Sequence, residues 1–279
     1  MQLYSANTGY FKLDGGAMFG VVPKTIWNKT NPADDKNLCS WAMRSLLIED
    51  GNRLILIDTG MGDKQDDKFL SHYYLHGDDS LQKSLNKYGF TEDDITDVFL
   101  THLHFDHCGG AIKRDANGLL IPAFKNAKFW SHSAHWNLAM NPNPREKASF
   151  LKENIHPIEA SGQLNFIDKS TDVFHKDIEI LVVSGHTEAQ MIPHISYNGK
   201  TVVFAADLLP SASHIPLSYV CGYDSRPLLT MDEKKLFLDT AASKEHILFL
   251  QHDPTNECCT VQQTEKGVRL KEAIRIFES

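Results

Sequence analysis

The sequence predicts a layered α/β fold in a single domain spanning residues 1–279, and three observations predict it. Short apolar, β-branched runs recur along the chain, segments of helical periodicity lie between them, and each run ends in a polar or glycine-containing corner. In chain order, "RLILIDTG" reads as a strand ending at Asp58-Thr59-Gly60. "DDSLQKSLNKYGF" follows as a helix, with Leu81, Leu85 and Tyr88 at helical spacing and Gly89 as its stop. "ITDVFLTHLH" is the next strand, and "REKASFLKEN", after the "NPNP" turn, reads as a second helix. "IEILVVSGHT", "KTVVFAADLLP" and "EHILFLQHDP" are three further strands, ending at His186, Asp207 and His252. Residues 63–80 and 209–231, Asp-rich and Pro-rich respectively, read as irregular loops over a site or at an interface. Loops at the carboxyl ends of strands vary freely while the sheet holds them rigidly, so histidines and aspartates gathered there point to one site.

Composition narrows the class. The chain has 279 residues, 42% hydrophobic and 23% charged, which suits a globular protein with a sizeable core. No stretch approaches the roughly 18 unbroken apolar residues of a membrane span, and "MQLYSANTGYFKLDGG" lacks the basic start and apolar run of a secretory leader. A net charge of -8 with no Lys/Arg cluster argues against a nucleic-acid partner. Five cysteines, with Cys258 and Cys259 adjacent, do not form a disulfide framework and suit a reducing compartment, so a cytoplasmic location is expected.

The densest chemistry lies in "THLHFDHCGG", residues 101–110. His102 and His104 alternate and so share one side of an extended segment, and Asp106 and His107 follow as the chain turns toward a helix. Gly109 and Gly110 let the backbone pack closely at that turn. Imidazole nitrogen with carboxylate oxygen is a zinc ligand set that also accommodates Fe, Mn or Co. A catalytic ion keeps about three protein ligands and one open position, so four ligands in one turn divide more naturally between two ions. Taken alone, His186 and His252 also read as turn residues and Asp207 as a helix cap. The other histidines, His135 among them, read as structural or solvent-facing.

These motifs together, "THLHFDHCGG" with "LIDTG" before it and "SGHT", "AAD" and "QHD" after it, resemble the metallo-β-lactamase superfamily over most of the chain and in the same order. The resemblance implies a four-layer αβ/βα sandwich carrying two divalent metal ions, most simply zinc. It implies that one ion takes His102, His104 and His186, that the other takes Asp106, His107 and His252, and that Asp207 and a hydroxide bridge them. Asp58 would orient a ligand histidine. A bridging carboxylate resembles the lactonase, thioesterase and phosphoesterase branches and differs from the true β-lactamases. His104 departs from the Glu of the diiron flavoprotein branch.

Within that set, "DGGAMFGVVPKTIW" resembles a segment of the quorum-quenching N-acyl-homoserine lactone lactonases that helps form an apolar mouth. The resemblance implies a metal-dependent hydrolase that opens a lactone ring, with Met18, Phe19, Val21, Val22 and Trp27 against the acyl chain of a small-molecule substrate. Plain core packing is the alternative for those five. Asp106 would also move a proton as a catalytic group. Many of these lactonases carry a Tyr three residues after the bridging Asp, where this chain has Pro210. His214 is then the first candidate for a catalytic substitute, with Tyr219 and Tyr223 as substrate-binding alternatives. The loop "TEAQMIPH" also departs from the usual Thr-Pro-Gly-His. Homodimers are common among those lactonases, and the N-terminal segment is the expected interface. Phosphotriesters, thioesters and β-lactams are alternative substrates, and a metal-binding regulatory protein is the alternative without turnover.

Overall fold

In the computed structural model, which describes residues 1–169 and 172–275, the chain is α/β throughout and divides into two compact units. One comprises Met1–Tyr10 with Met43–Phe174, and the other comprises Phe11–Ala42 with the described residues from His175 onward. Strands β1 (Gln2–Asp14) and β2 (Leu38–Asp50) each run along the chain from one unit into the other, and helices α1 (Gly15–Phe19) and α2 (Lys24–Trp27) lie between them in sequence. The first unit continues through β3 (Arg53–Ile57), α3 (Asp67–Ser71), α4 (Leu81–Lys87), β4 (Asp97–Phe99) and α5 (Phe105–Cys108). It then adds β5 (Ile112–Arg114), β6 (Leu120–Pro122), β7 (Lys128–Ser131), α6 (Ser133–Met140), α7 (Lys152–Ala160) and β8 (Leu164–Phe166). The second unit holds β9 (Ile178–Val183), β10 (Gln190–Tyr197), β11 (Lys200–Phe204), α8 (Pro227–Ser243), β12 (Ile247–Phe249), β13 (Cys258–Thr264) and β14 (Gly267–Ile274).

One six-stranded sheet has the order β1-β2-β3-β4-β7-β8, the other β14-β13-β12-β11-β10-β9. At the centre of each is a parallel pair. In the first, β3 and β4 align Ile57 with Phe99; in the second, β11 and β12 align Phe204 with Phe249. Parallel neighbours put their carboxyl ends on one edge, so the loops they release emerge side by side. Counting from the last strand residue, Asp207 and His252 each stand three positions beyond Phe204 and Phe249, which the register pairs. β9 is antiparallel to β10, which is antiparallel to β11, so β9 also ends on that edge, and His186 again stands three positions past Val183.

Burial follows the topology. In β3, Leu54 to Ile57 are all buried, as central parallel strands covered on both faces must be. Leu56, Val98 and Phe129 of neighbouring strands pack with Trp136, Ile155 and Ile158 from α6 and α7 in the first unit's core. In the second unit Phe204 stacks on Phe249, with ring centroids 5.3 Å apart. All five cysteines are buried free thiols. Among the described residues no helix is long and apolar enough to cross a membrane.

Besides α3, which lies within the 63–80 stretch expected to be irregular, three segments differ from the sequence expectation. The helix expected over 145–154 begins at Lys152, because the Asn143 side chain accepts from the backbone N–H groups of Arg145 and Glu146 and fixes a turn there. Residues 227–231, expected to be irregular, are the start of α8, with Pro227 in its first turn, where the missing N–H costs nothing. The segment expected to form an apolar mouth lies largely in the interior. Phe19 and Trp27 are 0% and 1% exposed and stack at 5.5 Å, Met18 and Val22 are buried, and only Val21 faces solvent.

His214 belongs to the same cluster. Its ring stacks on Phe19 at 4.5 Å, Nδ1 pairs with Ser211 Oγ (2.7 Å) and Nε2 with the Met18 carbonyl (2.9 Å). With both nitrogens committed, it is a core residue and not the catalytic histidine that the sequence suggests. Phe19→Ala should therefore lower the free energy of unfolding in urea by about 3–5 kcal/mol; a loss under about 1 kcal/mol would return Phe19 to an open wall. Burial pulls the His214 pKa down from 6.5 to about 4. Between those values the unfolded chain binds a proton that the folded chain refuses, so stability falls as pH drops below about 6.5, by about 1 kcal/mol at pH 5.5. His214→Gln should remove that share of the acid loss in melts run from pH 7 to 5, and an unchanged pH dependence would show that the ring is not buried neutral.

Candidate metal centre

Each unit carries its own set of candidate ligands at the strand-end loops. In the first unit, β3 ends one residue before Asp58, a buried aspartate held at φ 57°. Its Oδ1 accepts the backbone N–H of Thr101, and its Oδ2 accepts Thr101 Oγ1–H, both at 2.8 Å. That leaves the Thr101 oxygen to accept Nδ1–H of His102 at 3.1 Å. Oδ2 also accepts Nδ1–H of His107 at 2.9 Å. One carboxylate thus fixes two imidazoles, so that each presents Nε2 as an electron-pair donor. His102 Nε2 lies 3.2 Å from His104 Nδ1, and Asp106 Oδ2 lies 3.7 Å from His107 Nε2.

Close approach holds this turn in shape. A Cβ on Gly109 would lie 2.0 Å from the Met61 carbonyl oxygen, and one on Gly110 would lie 2.3 Å from that of Thr59. The 59–61 backbone therefore lies flat against the ligand turn, with Thr59 N–H donating to the His107 carbonyl (2.7 Å) and Gly110 N–H to that of Gly60 (2.9 Å). Buried Lys64 donates to the Gly109 carbonyl, and burial pushes its pKa down to about 8. Nε2 of His135 accepts the N–H of Leu103, between the two candidate ligand histidines.

In the second unit Asp207 is central. Its Oδ2 lies 3.1 Å from His186 Nε2, and its Oδ1 lies 3.1 Å from His252 Nε2. Both histidines have Nδ1 committed elsewhere: His186 to Asp224 Oδ1 (2.8 Å) and His252 to the Ala42 carbonyl (2.7 Å). Those acceptors require N–H at Nδ1, so a neutral ring turns an electron pair toward Asp207. Two acceptors facing each other at 3.1 Å repel unless a cation lies between them, either a proton or a metal ion. Burial opposes charging His186, yet Asp207 and Asp224 outweigh it and raise its pKa to about 10, which marks a place built for positive charge. Ligand atoms on a tetrahedral ion, with bonds of about 2.0–2.1 Å, lie about 3.3 Å apart. The 3.1–3.2 Å separations in both units match that spacing, so the residues fit the divalent ions that the sequence implies.

The turn that presents Asp207 is strained. Ala206 sits at φ 42°, a rare conformation for a residue with a Cβ. With its amide oriented to satisfy both donors, buried Gln190 accepts the N–H groups of Asp207 (3.0 Å) and Leu208 (3.2 Å). Asp253 caps the next loop by accepting from Thr255 and Asn256, and His252 N–H donates to the Pro210 carbonyl (3.1 Å).

Several of these residues were not readable from the sequence. Asp224 lies 38 residues from its histidine and three before a proline, where it looks like a turn residue. Gln190 begins β10, within the stretch read as a loop departing from the family pattern, and nothing in that pattern names its partner. Aromatic residues beside Asp106 were also missed: Phe105 packs edge-to-face with Phe69 (5.4 Å) and against Tyr73 (4.6 Å). Both partners come from 63–80, read as irregular although it contains α3, and their spacing of four residues was the available signal. Tyr219 lies edge-on to Phe19 at 6.5 Å, and Tyr223 is 40% exposed.

Comparisons with known proteins follow the same line. Residues 44–252 match a family model described as the metallo-beta-lactamase superfamily. A curated relative, an N-acyl homoserine lactonase of Bacillus thuringiensis, is 24% identical over 238 residues, covering 79% of this chain and 84% of its own. A crystal structure of a probable metal-dependent hydrolase from Staphylococcus aureus superposes with a TM-score of 0.88 at 26% identity, over 100% of this chain and 98% of that one. A dizinc quorum-quenching lactonase, solved with a product, gives a TM-score of 0.80 at 22% identity, over 99% and 95% of the two chains. These superpositions show the expected α/β metallo-β-lactamase fold.

If Asp58 fixes two ligand imidazoles, Asp58→Asn should weaken metal binding about 10–100-fold, read by competition with a chromophoric chelator. Undiminished affinity in a folded variant would reduce Asp58 to a turn residue.

Proposed function

The chain belongs to the metallo-beta-lactamase superfamily and is a metal-dependent hydrolase, and from that premise we propose that it opens the lactone ring of N-acyl-homoserine lactones with two divalent ions, most simply zinc. The observation that carries the two-ion reading is Asp207, whose two oxygens each face a different histidine whose other nitrogen is already committed. One carboxylate serving two positions is what a bridging ligand requires. Two divalent ions, when bound, acidify coordinated water and polarise a carbonyl oxygen.

The chain's own residues supply orientation and proton handling. Asp58 and Thr101 hold His102 and His107, and Asp224 and the Ala42 carbonyl hold His186 and His252, so none of the four rings has to reorient during turnover. Asp106, in the first turn of α5, would take up a proton and return it to the departing ring oxygen, a poor leaving group without one. Half-buried Phe69 and Tyr73, packed on buried Phe105, replace Phe19 and Trp27 as the apolar surface for an acyl chain. The lactone assignment is further supported by the curated lactonase relatives, at 24% identity. We place the activity in the cytoplasm, where unpaired buried thiols are at ease.

The test is proton release on mixing metal-analysed protein with a short- and a long-chain N-acyl-homoserine lactone, with paraoxon, a thioester and nitrocefin alongside. Rapid lactone opening at two ions per chain is expected. Hydrolysis of only one of the other three would keep the hydrolase and replace the lactone. Asp207→Asn should cut turnover by at least about 100-fold and lose at least one ion; full activity with two ions would remove Asp207 from the centre.

A further inference from the structure

We infer that Glu233 and Lys234, neighbours on α8, are positioning residues that fix the His186 imidazole for its ion, an inference that rests on the metal-binding reading of His186 above. They act on the two chain segments that flank the ring. The Glu233 carboxylate accepts the backbone N–H of Ser184 (2.7 Å) on one oxygen and that of Gly185 (2.9 Å) on the other, the two residues that lead from β9 into His186. Lys234, 1% exposed, donates from Nζ to the carbonyls of His214 (3.0 Å), Pro216 (3.1 Å) and Tyr219 (2.7 Å). That loop runs on to Asp224, whose Oδ1 receives Nδ1–H of His186. Ser225 and Arg226 close the frame by donating their backbone N–H groups to the carbonyls of His186 (2.9 Å) and Gly185 (2.8 Å).

The chemistry of each contact suits this task. A buried ammonium is tolerated only when its three donors are all used, and three carbonyls of one loop use them. The loop has no strand ladder of its own to hold it, so this one cation supplies what a ladder would. The strand exit is pinned as tightly: a Cβ on Gly185 would lie 2.4 Å from the Thr230 backbone nitrogen, one turn before Lys234 on α8. His186 is thereby gripped through its main chain by Glu233 and through its Nδ1 partner by Lys234.

The test uses full-length protein, stripped by chelator and reloaded with Zn(II) or Co(II), and reads the dissociation constant of each ion together with the Co(II) absorption spectrum. The wild type comes first: binding of no ion would overturn the metal reading and this inference with it. In Glu233→Gln and Lys234→Met one ion should bind about 10–100-fold more weakly while the other is unaffected, with far-UV circular dichroism of the metal-free proteins unchanged. Lys234→Arg, which keeps the charge and the donors, should recover most of the loss. Because Lys234 acts through Asp224, adding Lys234→Met to Asp224→Asn should weaken the ion no further than Asp224→Asn alone. Full affinity in folded Glu233→Gln and Lys234→Met, or losses that simply add in the double variant, would overturn the inference. Should Lys234→Met fail to fold, Glu233→Gln decides it, since that side chain is only half-buried and the amide keeps one acceptor.

Discussion

An imidazole has two nitrogens, and a metal ligand must commit one of them before it can offer the other. That constraint organises both units. Asp58 takes Nδ1–H of His107 directly and that of His102 through Thr101, Asp224 takes that of His186, and the Ala42 carbonyl takes that of His252. Each ring is left with one electron pair and one direction in which to point it. The partners are buried and fixed, so the direction is fixed before any ion arrives, and preorganisation of this kind makes a site bind tightly and react without rearrangement.

The sheets exist, for this purpose, to bring those partners together. Parallel register sets Phe204 beside Phe249, and an offset of three residues then sets Asp207 beside His252. In the first unit the β3–β4 register does the same for Asp58 and Thr101. What the register does not supply, local strain does. Asp58 and Ala206 occupy the left-handed region, at about 1–3 kcal/mol each, and both stand where a side chain or the next residue must be aimed off the regular path. Such strain persists because the surroundings over-determine it: the Asp58 carboxylate accepts three hydrogen bonds, and Gln190 holds the two N–H groups that follow Ala206.

The readable part of this molecule was the part with a short period. Short continuous apolar runs expose buried strands, and a His-x-His-x-Asp-His cluster is local, so β3, β4, β9, β11 and β12 and the residues at their ends stood out from the sequence. The unreadable part depends on distance. Asp224 and Glu233 meet His186 and Gly185 only because the chain returns 38 and 48 residues later, and nothing near them in sequence announces the meeting. Apolar residues are ambiguous for a different reason. "GGAMFGVV" suits a wall and a core equally well by composition, and only the stack of Phe19 on Trp27 and His214 decides for the core. His214 failed as a catalytic candidate on the same ground: closeness to Asp207 in sequence says nothing about which atoms its nitrogens face.

The division between candidate ion-holding loops and the irregular segments also bears on Pro210, where the resemblance to the lactonases implies a tyrosine. The candidate ligands stand at short, fixed offsets from strands in register, whereas the longer irregular segments are free to exchange side chains. At Pro210 the chain keeps a backbone task, since its carbonyl accepts the His252 N–H, but has no hydroxyl to offer a substrate. The proposed substrate surface therefore draws its hydroxyl from the other irregular segment, at Tyr73 against Phe105. Burial first, and the Asp106 carboxylate second, push the Tyr73 phenol up to about 12, so it keeps its proton at neutral pH and acts only as a hydrogen-bond donor or a neutral acceptor. A neutral donor suits an uncharged acceptor oxygen, such as the carbonyl of the proposed lactone.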